Sequence, residues 1–153
     1  MSAVTEIGFY HLTRTPLERA LPLILEKVLA SGARAVVRAG SGERVAFLDG
    51  ALWTYRPDSF LPHGSARDGE AGQQPVWLTT AEENPNGATV LVLTDGTEAG
   101  DMDSFERCLD MFDGNDGAAV DAARARWTAY KGAGHALAYW QQNERGGWEK
   151  NDG

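Results

Sequence analysis

The stretch ATVLVLTD, residues 88–95, runs Val90-Leu91-Val92-Leu93 with no polar residue before Thr94 and Asp95 close it. A strand with one wet face alternates apolar and polar side chains. An unbroken apolar run of this length is the mark of a strand buried on both faces, the situation of a central strand in a parallel sheet. A parallel sheet needs crossover helices, and the flanking sequence supplies them. IGFYHL (7–12) alternates and reads as a first strand. Thr15-Pro16-Leu17-Glu18 offers an N-cap, a proline at the first helical position and a capping-box glutamate. Leu17, Leu21, Ile24, Leu25, Val28 and Leu29 then recur at helical spacing until Ser31-Gly32 stops them. Pro22 removes one backbone hydrogen bond, which predicts a kink or a later start.

ARAVVRA (33–39) is a second strand, Ser41-Gly42-Glu43 opens a helix to about Leu52, and VWLTT (76–80) is a further strand. ERCLDMFD (106–113) alternates as a strand does, although a helix from Ser104 fits as well. DGAAVDAARARWTAYKGAG (116–134) is a helix, and the segment from His135 has no clear pattern. Strands alternating with helices define an α/β fold: a single-domain, mostly parallel, Rossmann-like sheet flanked by helices. The domain is expected over residues 1–140, with 141–153 a tail.

Composition narrows the function classes. A chain of 153 residues, 42% apolar and 24% charged, fits one globular domain. Its apolar runs are too short to span a bilayer, and Cys108 is its single cysteine, which fits a reducing cytoplasm. The net charge of −8 argues against extensive direct contact with DNA, which needs clustered Lys and Arg. Residues 95–116 carry eight acids against Arg107, read as a solvated face, whereas 117–131 hold Arg124, Arg126 and Lys131 against Asp121. An acidic chain with one basic helix suits an acidic peptide better than a duplex.

Chemistry-bearing motifs are sparse. AGSGER (39–44) lies between a strand and a helix, where a phosphate loop would sit, but it matches neither G-x-G-x-x-G nor G-x-x-x-x-G-K-[ST]. A small enzyme or nucleotide-binding protein using the Gly40–Gly42 turn is the alternative reading. His11, His63 and His135 show no ligand spacing and read as surface or capping residues, so no metal and no cofactor are expected. Nothing matches G-x-S-x-G, and Cys108 reads as a small core residue.

Two surfaces do suggest binding. In the last helix Val120, Ala123, Trp127 and Tyr130 form a core-facing stripe, bordered by a row of Arg124, Thr128 and Lys131. Those cations either complement the helix dipole or stand at the rim of an apolar cleft, where arginine's planar fork suits a carboxylate. LWTYRPDSFLPHG (52–64) reads as a loop with aromatics Trp53, Tyr55 and Phe60 stiffened by Pro57 and Pro62. Those rings either tuck onto the sheet or form a pre-organised hot spot for a partner.

L-D-x-A-L-W at 48–53 followed by S-F-x-P-H at 59–63 resembles the chi subunit of bacterial DNA polymerase III. Phe9-Tyr10 and the R-x-R-(aromatic)-x-A-Y-(basic)-x-A-G run at 124–134 agree with it, and the likeness extends from about residue 7 to 140. The resemblance implies a Rossmann-like accessory subunit of the clamp-loader assembly, not catalytic by itself, within a DNA-directed DNA polymerase. It implies binding to the acidic, Phe-ended C-terminal tail of single-stranded DNA-binding protein, through Arg124 with Trp127, Lys131 and Val120 close by. Val120 stands where the family has a further lysine. It also implies binding to the psi subunit or a helicase through Trp53 and Phe60, with Leu61 and Pro62 adjoining. The expected form is a monomer, or a heterodimer with that partner, touching DNA only indirectly.

Overall fold

The computed structural model describes residues 5–55, 62–65, 68–145 and 147–151. Among these, eight strands form one sheet in the order β3-β4-β2-β5-β6-β1-β7-β8. The strands are β1 (Glu6–Leu12), β2 (Ala35–Arg38), β3 (Gly64–Ser65), β4 (Val76–Thr79), β5 (Val90–Leu93), β6 (Arg107–Asp113), β7 (Ala136–Gln142) and β8 (Trp148–Asn151). All neighbours pair parallel except β8, which runs antiparallel to β7. The helices are α1 (Leu17–Ala30), α2 (Gly42–Thr54) and α3 (Gly117–Gly132).

β5 explains why its sequence is unbroken. Val90 and Val92 join one hydrophobic cluster with Leu21, Leu25, Leu48 and Leu52 of α1 and α2. Leu91 and Leu93 join the opposite cluster, which packs with Phe9, Cys108 and Ala123 of α3. With helices on both sides, neither face of the strand can be polar. β6, ambiguous in sequence, is a strand for the same reason: Leu109 and Met111 face α1, while Cys108 and Phe112 face α3.

Three local expectations are corrected. Pro16, not Thr15, is the N-cap of α1, and no side chain caps that end. The Thr15 hydroxyl instead accepts from Nε2 of Gln142 at 2.7 Å, while Gln142 Oε1 takes the backbone N–H groups of Thr13, Arg14 and Thr15. Pro22 does not delay the helix, which begins at Leu17 and carries the proline buried inside it. The segment after His135 is not featureless: its first part is β7, parallel to β1, and 148–151 return beside it as β8.

Chain order produces a switch point. β1 and β6 are neighbours, yet α1 leaves β1 toward one face and α3 leaves β6 toward the other. At this point Gly114 donates its N–H to Leu12 O at 2.7 Å, and a Cβ there would come within 1.8 Å of the His11 ring. Only glycine fits so close an approach.

α3 is pinned to the sheet by charge. Arg126, 4% exposed, reaches Asp110 of β6 with Nε and Nη2 at 2.7 and 3.0 Å. Asp110 is therefore buried at 1% exposure and does not belong to a solvated acidic face. No helix among the described residues is long and apolar enough to cross a membrane.

Candidate functional site

α3 carries two arginines, two positions apart, that point in opposite senses. Arg126 goes under the helix to Asp110, and the side chain of Arg124 is 80% exposed. Among the described residues its only ion pair is a loose 3.9 Å approach to Asp121. The helix begins where Asp116 accepts the N–H groups of Ala118 and Ala119, which sets the phase of everything after it. That phase puts Val120, Ala123, Trp127 and Tyr130 against the sheet, as their spacing predicts.

Between α3 and the β1–β7 part of the sheet lies a cleft of about 630 Å³. Phe9, Phe112, Val120, Trp127, Leu137 and Tyr139 supply its apolar surface. Phe9 meets Trp127 edge-on at 5.3 Å between centroids, and Trp127 meets Tyr139 at 6.2 Å. Such pairs hold rings in fixed mutual orientation. Tyr139 is further held by a hydrogen bond between its hydroxyl and His11 Nδ1. Burial raises the Tyr139 pKa, and the positive field of Arg124 opposes that rise. Arg124 and Thr128 line the cleft with Val120 and Trp127; Lys131, expected nearby, does not line it.

The second surface is the end of α2. Ser41 caps the helix, accepting from Arg44 N, and the helix runs on to Thr54. Trp53 therefore stands on the last helical turn rather than on a loop, with 53% of its surface exposed. Its ring lies 4.8 Å from that of His63, whose Nε2 is 3.0 Å from Asp49 Oδ1. His63 is buried, not a surface residue, and it supports Trp53 from behind. The Tyr55 hydroxyl is 2.5 Å from Glu26 Oε1 and packs toward α1. Phe47, on the same helix, is 46% exposed beneath the Arg44 guanidinium. Pro62 is half-buried, and Phe60 and Leu61 lie outside the described residues.

In the Gly40–Gly42 turn the first backbone donor is already taken. Asp95, held at φ 56°, accepts from Gly40 N at 3.0 Å and from Arg44 Nε at 3.2 Å. A carboxylate already sits where a phosphate would need those groups, and it repels one. The switch-point crevice of about 760 Å³ is no better suited to an anion. Glu18, Asp95, Asp113 and Asp116 line it, and two of its three arginines are paired with Asp95 and Asp110. Sequence reasoning missed the Arg126–Asp110 pair and the contribution of β7 to the cleft. The signal for the first was an acid alone inside an apolar strand, which demands a buried partner.

Fold and sites together define an open-sheet α/β protein with an aromatic cleft rimmed by cations and a separate protruding tryptophan. The family model for the DNA polymerase III chi subunit matches residues 4–138, and the chain belongs to that family. A probable DNA polymerase III subunit chi of Rickettsia prowazekii is 31% identical over 93 residues, covering 61% of this chain and 56% of that protein. The DNA polymerase III subunit chi of Pseudomonas aeruginosa is 25% identical over 137 residues, or 88% of this chain and 94% of its own length. The Escherichia coli subunit is 28% identical over 108 residues, covering 70% and 73%. The chain is thus an accessory-type subunit related to the replicative polymerase.

Proposed function

We propose that the protein is a non-catalytic adaptor of the replication machinery in the cytoplasm. In this reading the α3 cleft binds the acidic, Phe-ended C-terminal tail of single-stranded DNA-binding protein. The end of α2 meets a psi-type clamp-loader subunit or a helicase. The observation that carries the first half is the aromatic cleft with Arg124 at its mouth. A terminal phenylalanine is an apolar ring joined to a free carboxylate, and the cleft offers an apolar hollow beside a guanidinium.

Magnitudes divide the labour. Burying a phenylalanine ring removes about 150–250 Å² from water, worth roughly 4–6 kcal/mol as an upper bound. A hydrogen bond to a charged group nets about 1.5–3 kcal/mol. The ring supplies most of the affinity, and Arg124 selects a chain end and fixes its register.

The second half rests on Trp53. A tryptophan half in water with a buried histidine behind it loses that exposed area only by docking into a partner. Phe60, Leu61 and Pro62, next in the chain, are assigned to the same partner.

Calorimetry with a Phe-ended acidic peptide and its C-terminally amidated form tests the cleft. Wild type should bind the free acid and bind the amide more weakly, and Arg124→Ala should abolish that difference. Equal affinity of wild type and Arg124→Ala for the free acid would place the tail elsewhere.

A further inference from the structure

The cleft has a helix wall and a sheet wall, and each carries a cation. On the helix wall it is Arg124, and the position one turn earlier is the apolar Val120. On the other side Lys150 of β8 joins the lining. No carboxylate is among the lining residues, although acids outnumber basic residues 22 to 14 in the chain. Lys150 makes no ion pair with any described residue, and it is exposed. β8 is the last strand of the sheet, and Lys150 lies opposite Trp140 of β7. The register sets Lys150 on the same face of the hairpin as Trp140, and at this edge it borders both the cleft and a smaller depression beside Trp140 and Tyr10. β8 lies beyond residue 138, where the match to the family model ends.

We infer that Lys150 is a second recognition residue for the acidic tail, contacting its carboxylate side chains while Arg124 takes the terminal carboxylate. This rests on the tail-binding reading above. The chemistry follows from the placement. An acidic segment leaving the cleft from a seated C-terminal ring must cross a rim, and the sheet-side rim is the one with an unpaired ammonium. A flexible, hydrated lysine suits successive side-chain carboxylates, whereas Arg124's fork suits the single terminal one. The β7–β8 hairpin thus serves as part of the binding site and not merely as an edge to the sheet.

The experiment is titration of the full chain with two peptides, an acidic Phe-ended one and one whose Asp and Glu are replaced by Asn and Gln, across a salt series. Lys150→Ala should weaken the acidic peptide about three- to five-fold and make its salt dependence shallower. Lys150→Glu should weaken it further, Lys150→Arg should retain most of the affinity, and none should alter binding of the neutral peptide. Melting by circular dichroism checks that each variant is folded. Wild-type affinity in both Lys150→Ala and Lys150→Glu, with Arg124→Ala still weakened, would overturn the role of Lys150 and leave the tail reading standing. Failure of the wild type to bind the acidic peptide would overturn both.

Discussion

On the α3 side, Trp127 and Tyr139 line a hollow of about 630 Å³, each ring fixed by edge-on contacts with its neighbours. At the end of α2, Trp53 stands out from the surface, 53% exposed, with one buried histidine behind it. Both regions spend aromatic surface on water, but they require opposite partners. A hollow accepts a narrow chain end and can measure where that end stops. A projection needs a partner that brings the hollow itself, so its specificity is written mostly in the other protein. The difference also separates their electrostatics: the hollow is rimmed by Arg124 and Lys150, while Arg44, on the helix that carries the projection, is tied to Asp95 and covers Phe47.

The comparison can be broken most severely at the pair beneath α3. Asp110→Asn leaves the Arg126 charge buried without its carboxylate, a loss of about 3–5 kcal/mol. For a chain of this size that lowers the melting temperature by on the order of 10 °C. Below the transition, tail affinity should fall while capture by the α2 end persists, because Arg126 orients α3 alone. If calorimetry and pull-down showed both activities falling in step, the two regions would not be independent.

Trp53→Ala comes next. Loss of a central tryptophan at an interface costs about 2–4 kcal/mol of binding. A pull-down of psi-type or helicase partners should be abolished, with tail affinity by calorimetry and melting temperature unchanged. Arg124→Ala should do the reverse, weakening the tail peptide roughly ten-fold and sparing the pull-down. A variant of either kind that damaged both bindings would merge the two surfaces into one.

The smallest effect sets a shared background. Arg38 donates to Asp101 and holds its pKa below the ordinary range, and donors from Trp77 and Thr79 do the same for Glu83. A depressed carboxylate contributes stability in full above its unfolded value near 4 and loses it as pH falls through the lower folded value. Melting curves from about pH 5 downward should show stability falling with acid, modestly because both carboxylates are partly in water, and the fall should be smaller in Asp101→Asn. Neither residue lines the cleft or touches Trp53, so acid should weaken both surfaces together through the fold.

These regions were unequally legible in the sequence. β5 was readable because burial on both faces leaves no choice of residue, and α1 and α3 were readable because a single buried stripe imposes helical spacing. β7 was not: at the margin of the sheet most of its residues are only partly buried, so ALAYWQQ carries no clean alternation. The helical phase of α3 was enough to set Val120, Arg124 and Trp127 on the cleft side, since spacing alone fixes a face. It could not say how far the cleft extends, which is why Lys131 was expected in it and Lys150 was not. Partners from different elements, such as Asp110 with Arg126 and His63 with Trp53, meet through the tertiary fold, and no local pattern announces them. The 52–64 stretch misled because its prolines begin only after the helix has carried Trp53 outward.

The margins of the sheet bear on how such a chain survives at high local concentration. An open sheet of eight strands has two borders, and unpaired amide and carbonyl groups along a border are where another copy could add a strand. Here one border is the two-residue β3 and the other the four-residue β8, whose Glu149 and Lys150 carry charge. One border this short, and another both short and charged, give a second molecule little to zip onto, which guards a sheet-rich protein against growing into fibres.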